Sequence, residues 1–451
     1  MTHLTRDLGT FVAQLTFDQI PTEALTVIHT GFSDCIGVLL AGRNEPATKL
    51  LQQTLEPAPG PATLLFGSAT AHAQEAAWIN GTAAHALDFD DVALRGHPST
   101  VLVPAILAEA QALGSSGQDM VVAYAAGYEV WADLARRDPD QHHNKGWHPT
   151  GIFGAIGAAA ACASLNKLDA AQCAIALSLG ASQSSGIMAN FGTMTKPFHA
   201  GRSAASGVLS ARLARNGFTA SLDALEHTQG FLQAVSPAGR VDVTAEVEAG
   251  RVWKLLTAKL SVKKYPLCFC THRALDGMLD LMADTPMKAD EIENITVSTS
   301  LRNATILRNH QPQTGLEAKF SMQFAMASSV VARAAGLNQL TDSFVQRQDV
   351  QALMKKVVVV VDPREHPTLP GYAPYDLITV HLKDGRTLES RQVVEVRGGP
   401  EFPLGRNDLW TKFEDCARVG GAADSAQAIF DAFMTLEMVP HVNVIPGLKT
   451  Q

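Results

Sequence analysis

The chain is poor in aromatic residues, at 6%, and in charged ones, at 18%. Its six cysteines, Cys35, Cys162, Cys173, Cys268, Cys270 and Cys416, are few for 451 residues and lie mostly within apolar runs. That pattern excludes a disulfide scaffold and points to reduced thiols in a reducing compartment. No basic excess exists: 36 Lys and Arg stand against 44 Asp and Glu, a net charge of −8. A general nucleic-acid binder, which needs a basic face, is thereby excluded. A local basic pocket for a small anion is not. The opening MTHLTRDLGTFVAQL carries an early Asp and no apolar leader core, so it does not read as a signal peptide. The most apolar stretches, such as Gly151 to Leu165, are short and rich in Gly and Ala for a bilayer span. The expectation is a soluble, cytoplasmic protein with no membrane or nucleic-acid partner. Also missing are GxxxxGK[ST], GxGxxG after a strand, GxSxG and HExxH. Nucleotide-dependent and metallohydrolase chemistry start without support.

What is present is an apolar share of 46%, supplied by Ala, Leu and Val. A length of 451 residues is about three times a domain of roughly 150 residues, so two or three domains are expected, with ample chain for a large core. Apolar residues at three- and four-residue spacing predict helices over 7–18, 22–41, 74–87, 99–113, 118–136, 149–165, 169–185 and 201–216. Several are dense in small residues, as in GIFGAIGAAAACASL and GRSAASGVLSARLA, which lets helix axes approach closely. From about residue 258 the character changes. LSVKKY (260–265), ENITVSTS (293–300), KVVVVVD (356–362) and 377–394 read as strands, the last holding the hairpin signal Asp384-Gly385. Helices at 271–284 and 318–335 interleave, and helix returns over 406–436. The fold class is mainly α: an all-helical domain over 1–258 and 397–451, and a smaller α+β domain over 259–396.

Four segments carry chemistry. HALDFDDVALRGHPS, from His85 to Ser99, packs three Asp and two His into a helix–helix junction. Its acids can bind a cation, position a base or cap helix ends, and an Asp–His pair is a general-base arrangement. HHNKGWHPT is a second junction, with His142, His143 and His148. It lacks the i, i+4 pair and the acid of a zinc site, and His148, between Trp147 and Pro149, is the most placed of the three. NFGTMTKPFHAGRSAASG sets Lys196, His199 and Arg202 among small residues, a cradle for an anion made of side-chain cations and backbone N–H groups. KLSVKKYPLCFCTH holds Lys263 and Lys264 at the domain boundary, and strand alternation sends them to opposite faces. Its Cys268-x-Cys270-x-His272 has no second ligand pair and reads as structural.

Together these segments, with GWHPTGIFGAIGAAAA, KKYPLCFCTHRALDG, EAKFSMQFAMA and GPEFPLGRNDLWTKF, resemble the MmgE/PrpD family. That family includes 2-methylcitrate dehydratase, cis-aconitate decarboxylase and iminodisuccinate epimerase. The resemblance implies a large helical domain with an inserted α+β lid, a homodimer, and an active site in the cleft between domains. It implies no metal and no organic cofactor. By position it assigns site roles to Asp88, His97, His148, Lys196 and Lys263. Lys196 and Lys263 would bind carboxylates, with Arg202, His199 and Lys264 as further substrate contacts. His97 and His148 would be acid and base, and Asp88 would orient a histidine. Three positions depart from the decarboxylase pattern: Val92 for Thr, Phe324 for Tyr and Cys268 for His. The expectation is that these losses remove hydrogen-bond donors from the cleft. The implied activity is a lyase on a small di- or tricarboxylate, by dehydration or decarboxylation through a carbanion next to a carboxylate. The alternatives are an epimerase of a dicarboxylate and a non-catalytic polycarboxylate-binding relative.

Overall fold

The structure is a computed structural model that describes residues 3–367 and 371–448. The chain divides into two compact units, Met1–Ser261 with Gly405–Gln451, and Val262–Leu404. Each has its own apolar core.

The first unit is helical. Its main helices are α1 (Leu4–Gln14), α2 (Thr22–Gly42), α3 (Pro46–Leu55), α4 (Ala73–His85), α5 (Ser99–Leu113), α6 (Gly117–Arg136), α7 (Pro149–Leu165), α8 (Ala170–Ser182) and α9 (Thr195–Arg215). A two-stranded ribbon pairs β1 (Ala62–Thr63) with β2 (Thr70–Ala71). Local signals set several helix ends. Ser116 and Asp119 form a capping box at α6, as do Asp169 and Gln172 at α8. Pro149 opens α7, where its missing N–H costs nothing. Gly114, at φ 71°, closes α5. After the second unit the chain returns through Arg406–Gly420 and Ala426–Met434, and Phe413 packs onto Gly37 of α2.

Among the described residues, α2 is the one helix long and apolar enough to cross a membrane by length and composition. The sequence expectation that the apolar stretches are too short overlooked it. Most of α2 is buried within the unit. It carries the buried ionisable groups His29 and Asp34, which pair with Glu437 and Lys412.

Small residues bring α4, α7 and α9 close together. A Cβ on Gly201 of α9 would meet the Trp78 carbonyl oxygen of α4 at 2.2 Å. One on Gly207 would meet Ala158 of α7 at 2.3 Å. Only glycine allows both approaches, and they fix where the ends of these three helices lie.

The second unit is α+β. Its sheet has the order β4-β3-β5-β6, with β3 (Ile292–Thr299), β4 (Val357–Val361), β5 (Leu377–Leu382) and β6 (Thr387–Glu389). β3 runs parallel to β4 and antiparallel to β5, and β5–β6 is the hairpin at Asp384-Gly385. Helices His272–Asp284 and Met322–Val331 join its core with Ile295, Val297, Ile378 and Val380.

Three expectations need correction. LSVKKY is not a strand: it makes a single bridge, Ser261 to Val92, and the chain then turns. Lys263 is buried and Lys264 half-buried, but no strand alternation separates them. α9 starts at Thr195 rather than 201, so Lys196 and His199 stand on its first turns instead of a preceding loop. Phe324 is fully buried in the α+β core, edge-on to Phe344 at 6.3 Å. It is a packing residue, so its lack of a hydroxyl removes no donor from an open site.

Candidate active site

Four helix ends of the first unit converge. His85 ends α4, His97 precedes α5, His148 is the residue before α7, and Lys196 and His199 open α9. Pro149 holds His148 in an extended conformation, φ −88° and ψ 107°, and its backbone N–H donates to the Gly186 carbonyl. Gly186, at φ 119°, leaves only 3.1 Å between a would-be Cβ and the His199 ring. The His97 backbone N–H donates to Thr150 Oγ1 at 3.2 Å, tying that loop to the first turn of α7.

The three acids of DFDD do three different things. Asp88, at φ 52°, is in the left-handed region that Asp tolerates, and its Oδ1 meets Lys196 Nζ at 2.5 Å. Asp90 is fully buried and touches two imidazoles: Oδ1 lies 2.8 Å from His85 Nδ1, and Oδ2 lies 2.7 Å from His97 Nδ1. Asp91 accepts from the backbone N–H of Ser99, at the start of α5. Asp90, which the sequence reading did not single out, is thus the acid found against two imidazoles.

The imidazoles form one group. Ring centroids are 4.4 Å apart for His85 and His97, 6.0 Å for His85 and His148, and 6.4 Å for His97 and His148. His148 and His199 meet through their Nδ1 atoms at 3.1 Å. Phe191 lies edge-on to His148 at 4.8 Å, with Lys196 over its ring at 5.4 Å.

Burial and charge set the protonation states. Burial, resisted by Asp90 and aided by Lys196, pushes His85 down to about 4. Burial and the nearby Lys196 ammonium hold His148 well below the usual histidine range and lower His199 too. Burial works against the Asp90 carboxylate, but its contacts with His85 and His97 prevail and hold it well below the usual range. Asp91 is pushed the other way, by burial and by Asp34. At neutral pH the site therefore holds an ionised Asp90 beside neutral His85 and His148. Both of those rings keep a buried Nε2 with no hydrogen-bond partner in the protein. Buried orphans of this kind call for a ligand or water.

His85, Asp88, Asp90 and His97 each bring a donor atom within 4.8 Å of the others. This donor set does not suit a metal. Asp90 is taken up by two ring nitrogens, and Asp88 Oδ1 already meets an ammonium. Coordination by the carboxylates would have to take Asp90 from the ring nitrogens and break the lysine pair.

Of the residues singled out in the sequence, Asp88, His97, His148, Lys196 and His199 come together. Arg202 lies over the Trp78 ring at 5.0 Å, a partner outside the histidine group. Lys263 and Lys264 belong to the α+β unit. The buried partners that sequence reasoning did not single out are His85 and Asp90. The available signal was a histidine ending an Ala-rich helix, five residues before an acid.

A helical unit with a buried imidazole–lysine site, and a separate α+β unit, defines a class. The chain belongs to the MmgE/PrpD family. Its N-terminal domain model matches residues 6–244 and its C-terminal domain model matches 265–437. Among characterised relatives, cis-aconitate decarboxylase of Mus musculus is 27% identical over 385 residues, covering 83% of this chain and 78% of the relative. The enzyme of that name from Homo sapiens is 28% identical over 384 residues, with the same coverage. That from Aspergillus terreus is 25% identical over 382 residues, covering 78% of this chain and 77% of the relative.

Proposed function

We propose that this protein is a lyase acting on a small di- or tricarboxylate, by decarboxylation of a cis-aconitate-like acid or dehydration of a 2-methylcitrate-like one. The observation that carries this reading is the Lys196 ammonium close to the buried His148 ring, in a group of imidazoles where His85 and His148 each keep an unsatisfied Nε2. Both reactions pass through negative charge on a carbon next to a carboxylate. That charge needs a fixed cation, and the carbon needs a group that delivers or removes a proton. Lys196 supplies the cation and binds the carboxylate. His97, partly exposed and backed by Asp90, moves the proton at Nε2. Relatives named cis-aconitate decarboxylase support the class of reaction.

A second reading is an epimerase. It is favoured by two imidazoles with centroids 6.4 Å apart, since proton removal on one face and return on the other needs two such groups. Incubating the protein with cis-aconitate, 2-methylcitrate and simple dicarboxylates in deuterated water separates the readings by NMR. Loss of carbon dioxide or water supports the lyase. Deuterium uptake with inversion alone supports the epimerase. Absence of any turnover over a broad polycarboxylate panel refutes both. Activity is expected to survive a chelator, because the Asp90 and Asp88 carboxylates serve protons and an ammonium.

A further inference from the structure

Asp90 touches two histidine rings of the site. It is fully buried and comes from the loop between α4 and α5. The two contacts differ: Oδ1 is hydrogen-bonded to His85 Nδ1 at 2.8 Å, whereas Oδ2 lies 2.7 Å from His97 Nδ1 as a close charge contact without hydrogen-bond geometry. His97 Nδ1 also lies 2.9 Å from the Asp91 backbone carbonyl. Both neighbours of that nitrogen are acceptors, so it must carry a hydrogen. The same holds for His85 Nδ1, whose neighbour is the Asp90 carboxylate. Each ring is then left with Nε2 as the atom free to take or give a proton.

The two rings differ in access. The His85 side chain is 0% exposed, whereas that of His97 is 13% exposed. His97 is therefore the more accessible of the two to a substrate. His85, its ring 4.4 Å from that of His97, fills the other side of Asp90 and satisfies the second oxygen. Without it a buried carboxylate oxygen would lack a partner, and the anion would be free to rotate.

We propose that Asp90 is a positioning residue: with His85 as its second support, it locks His97 in the Nδ1–H form and turns Nε2 into the proton-transferring atom. This assignment rests on the lyase reading for its kinetic consequences, but the ring tautomer is a property of the resting protein and is testable without turnover.

Two measurements test it. The first uses the unmodified protein labelled with 15N-histidine, the His97 signals being identified by their loss in His97→Gln. Nitrogen–proton correlation spectra at neutral pH should show the hydrogen of His97 on Nδ1. A hydrogen on Nε2 overturns the proposal.

The second is Asp90→Asn, which keeps shape but presents an amide that can donate to Nδ1 and favour the wrong tautomer. A loss in kcat of roughly 10²–10⁴-fold is expected, with KM changed less than about threefold. The hydrogen of His97 should move from Nδ1 to Nε2 in this variant. A defect confined to folding would not move the tautomer. Asp90→Asn that keeps full kcat and an unmoved tautomer, while His97→Gln is inactive, overturns the positioning role and leaves the lyase reading intact. Full activity in His97→Gln refutes the catalytic reading instead. If Asp90→Asn does not fold, the spectrum of the unmodified protein still decides.

Discussion

The site contains two histidine pairs that differ in what stands between them. His85 and His97 share an anion, Asp90, with one ring on each oxygen. His148 and His199 have no anion and meet nitrogen to nitrogen at 3.1 Å. The first arrangement fixes a hydrogen on each Nδ1. In the second, the two nitrogens share one hydrogen, and the Lys196 ammonium disfavours a positive charge on either ring. One residue type thus receives two roles from its neighbours. In the proposed mechanism His97, of the carboxylate-backed pair, carries the proton, and the imidazole–imidazole pair is a neutral, hydrogen-bonding wall.

The comparison breaks first if the wrong residues prove essential. His97→Gln and Lys196→Met are each expected to lower kcat/KM by about 10³-fold, since they remove the proton carrier and the fixed cation. Steady-state rates on whichever acid is turned over check this. Thermal unfolding within a few degrees of the parent separates lost chemistry from lost fold.

Next in size is the second pair. His199→Phe keeps the ring packing but removes the partner of His148 Nδ1. A fall in kcat of about tenfold is expected, with stability lowered by about 1–3 kcal/mol for the buried nitrogen left alone. A loss as large as that of His97→Gln would mean that His199 is itself in the proton path, and the distinction between the pairs would fail.

Burial of neutral rings gives a third test. The folded-state value for His85 is about 4, below that of the unfolded chain. Its contribution is therefore present above about pH 6.5 and is lost as the pH falls toward 4. The stability margin of the parent over His85→Asn should shrink across that window, by roughly 3 kcal/mol at most. Denaturant unfolding of both proteins from pH 7 to 4.5 reads it. Using the difference cancels the opposite trend of Glu129 and Asp376, each pushed up by burial to about 7. A margin that stays constant with pH would mean that His85 is not held neutral.

How much of this was legible in the sequence follows from which interactions are local. Helix periodicity, Pro149, the valine run of β4 and Asp384-Gly385 each act over a few residues, and each gave its element. His148 was singled out for the same reason, because a following proline restricts it. The work of Asp90 could not be read that way. Asp88, Asp90 and Asp91 look alike in a string. Their partners are decided by the left-handed backbone at Asp88 and by the close approach of α4 and α9 at Gly201. LSVKKY has strand composition, but the described structure offers it one bridging partner, Val92, and no ladder. Composition cannot supply the missing neighbour.

The smallest expected effect concerns the position that looked most telling in the sequence. Phe324 replaces a tyrosine of the decarboxylase pattern, which suggested a lost donor. Yet its ring is fully buried among apolar side chains, edge-on to Phe344. Phe324→Tyr would place a hydroxyl within that apolar core. A buried, unpaired hydroxyl costs about 1–3 kcal/mol, so the variant should unfold at lower denaturant. Its kcat/KM should stay within about twofold of the parent, because the ring packs in a core and not against substrate. A gain in rate or a change in preferred acid, with stability unchanged, would mean instead that the hydroxyl reaches the substrate. The departure from the family pattern would then be one of specificity rather than of packing.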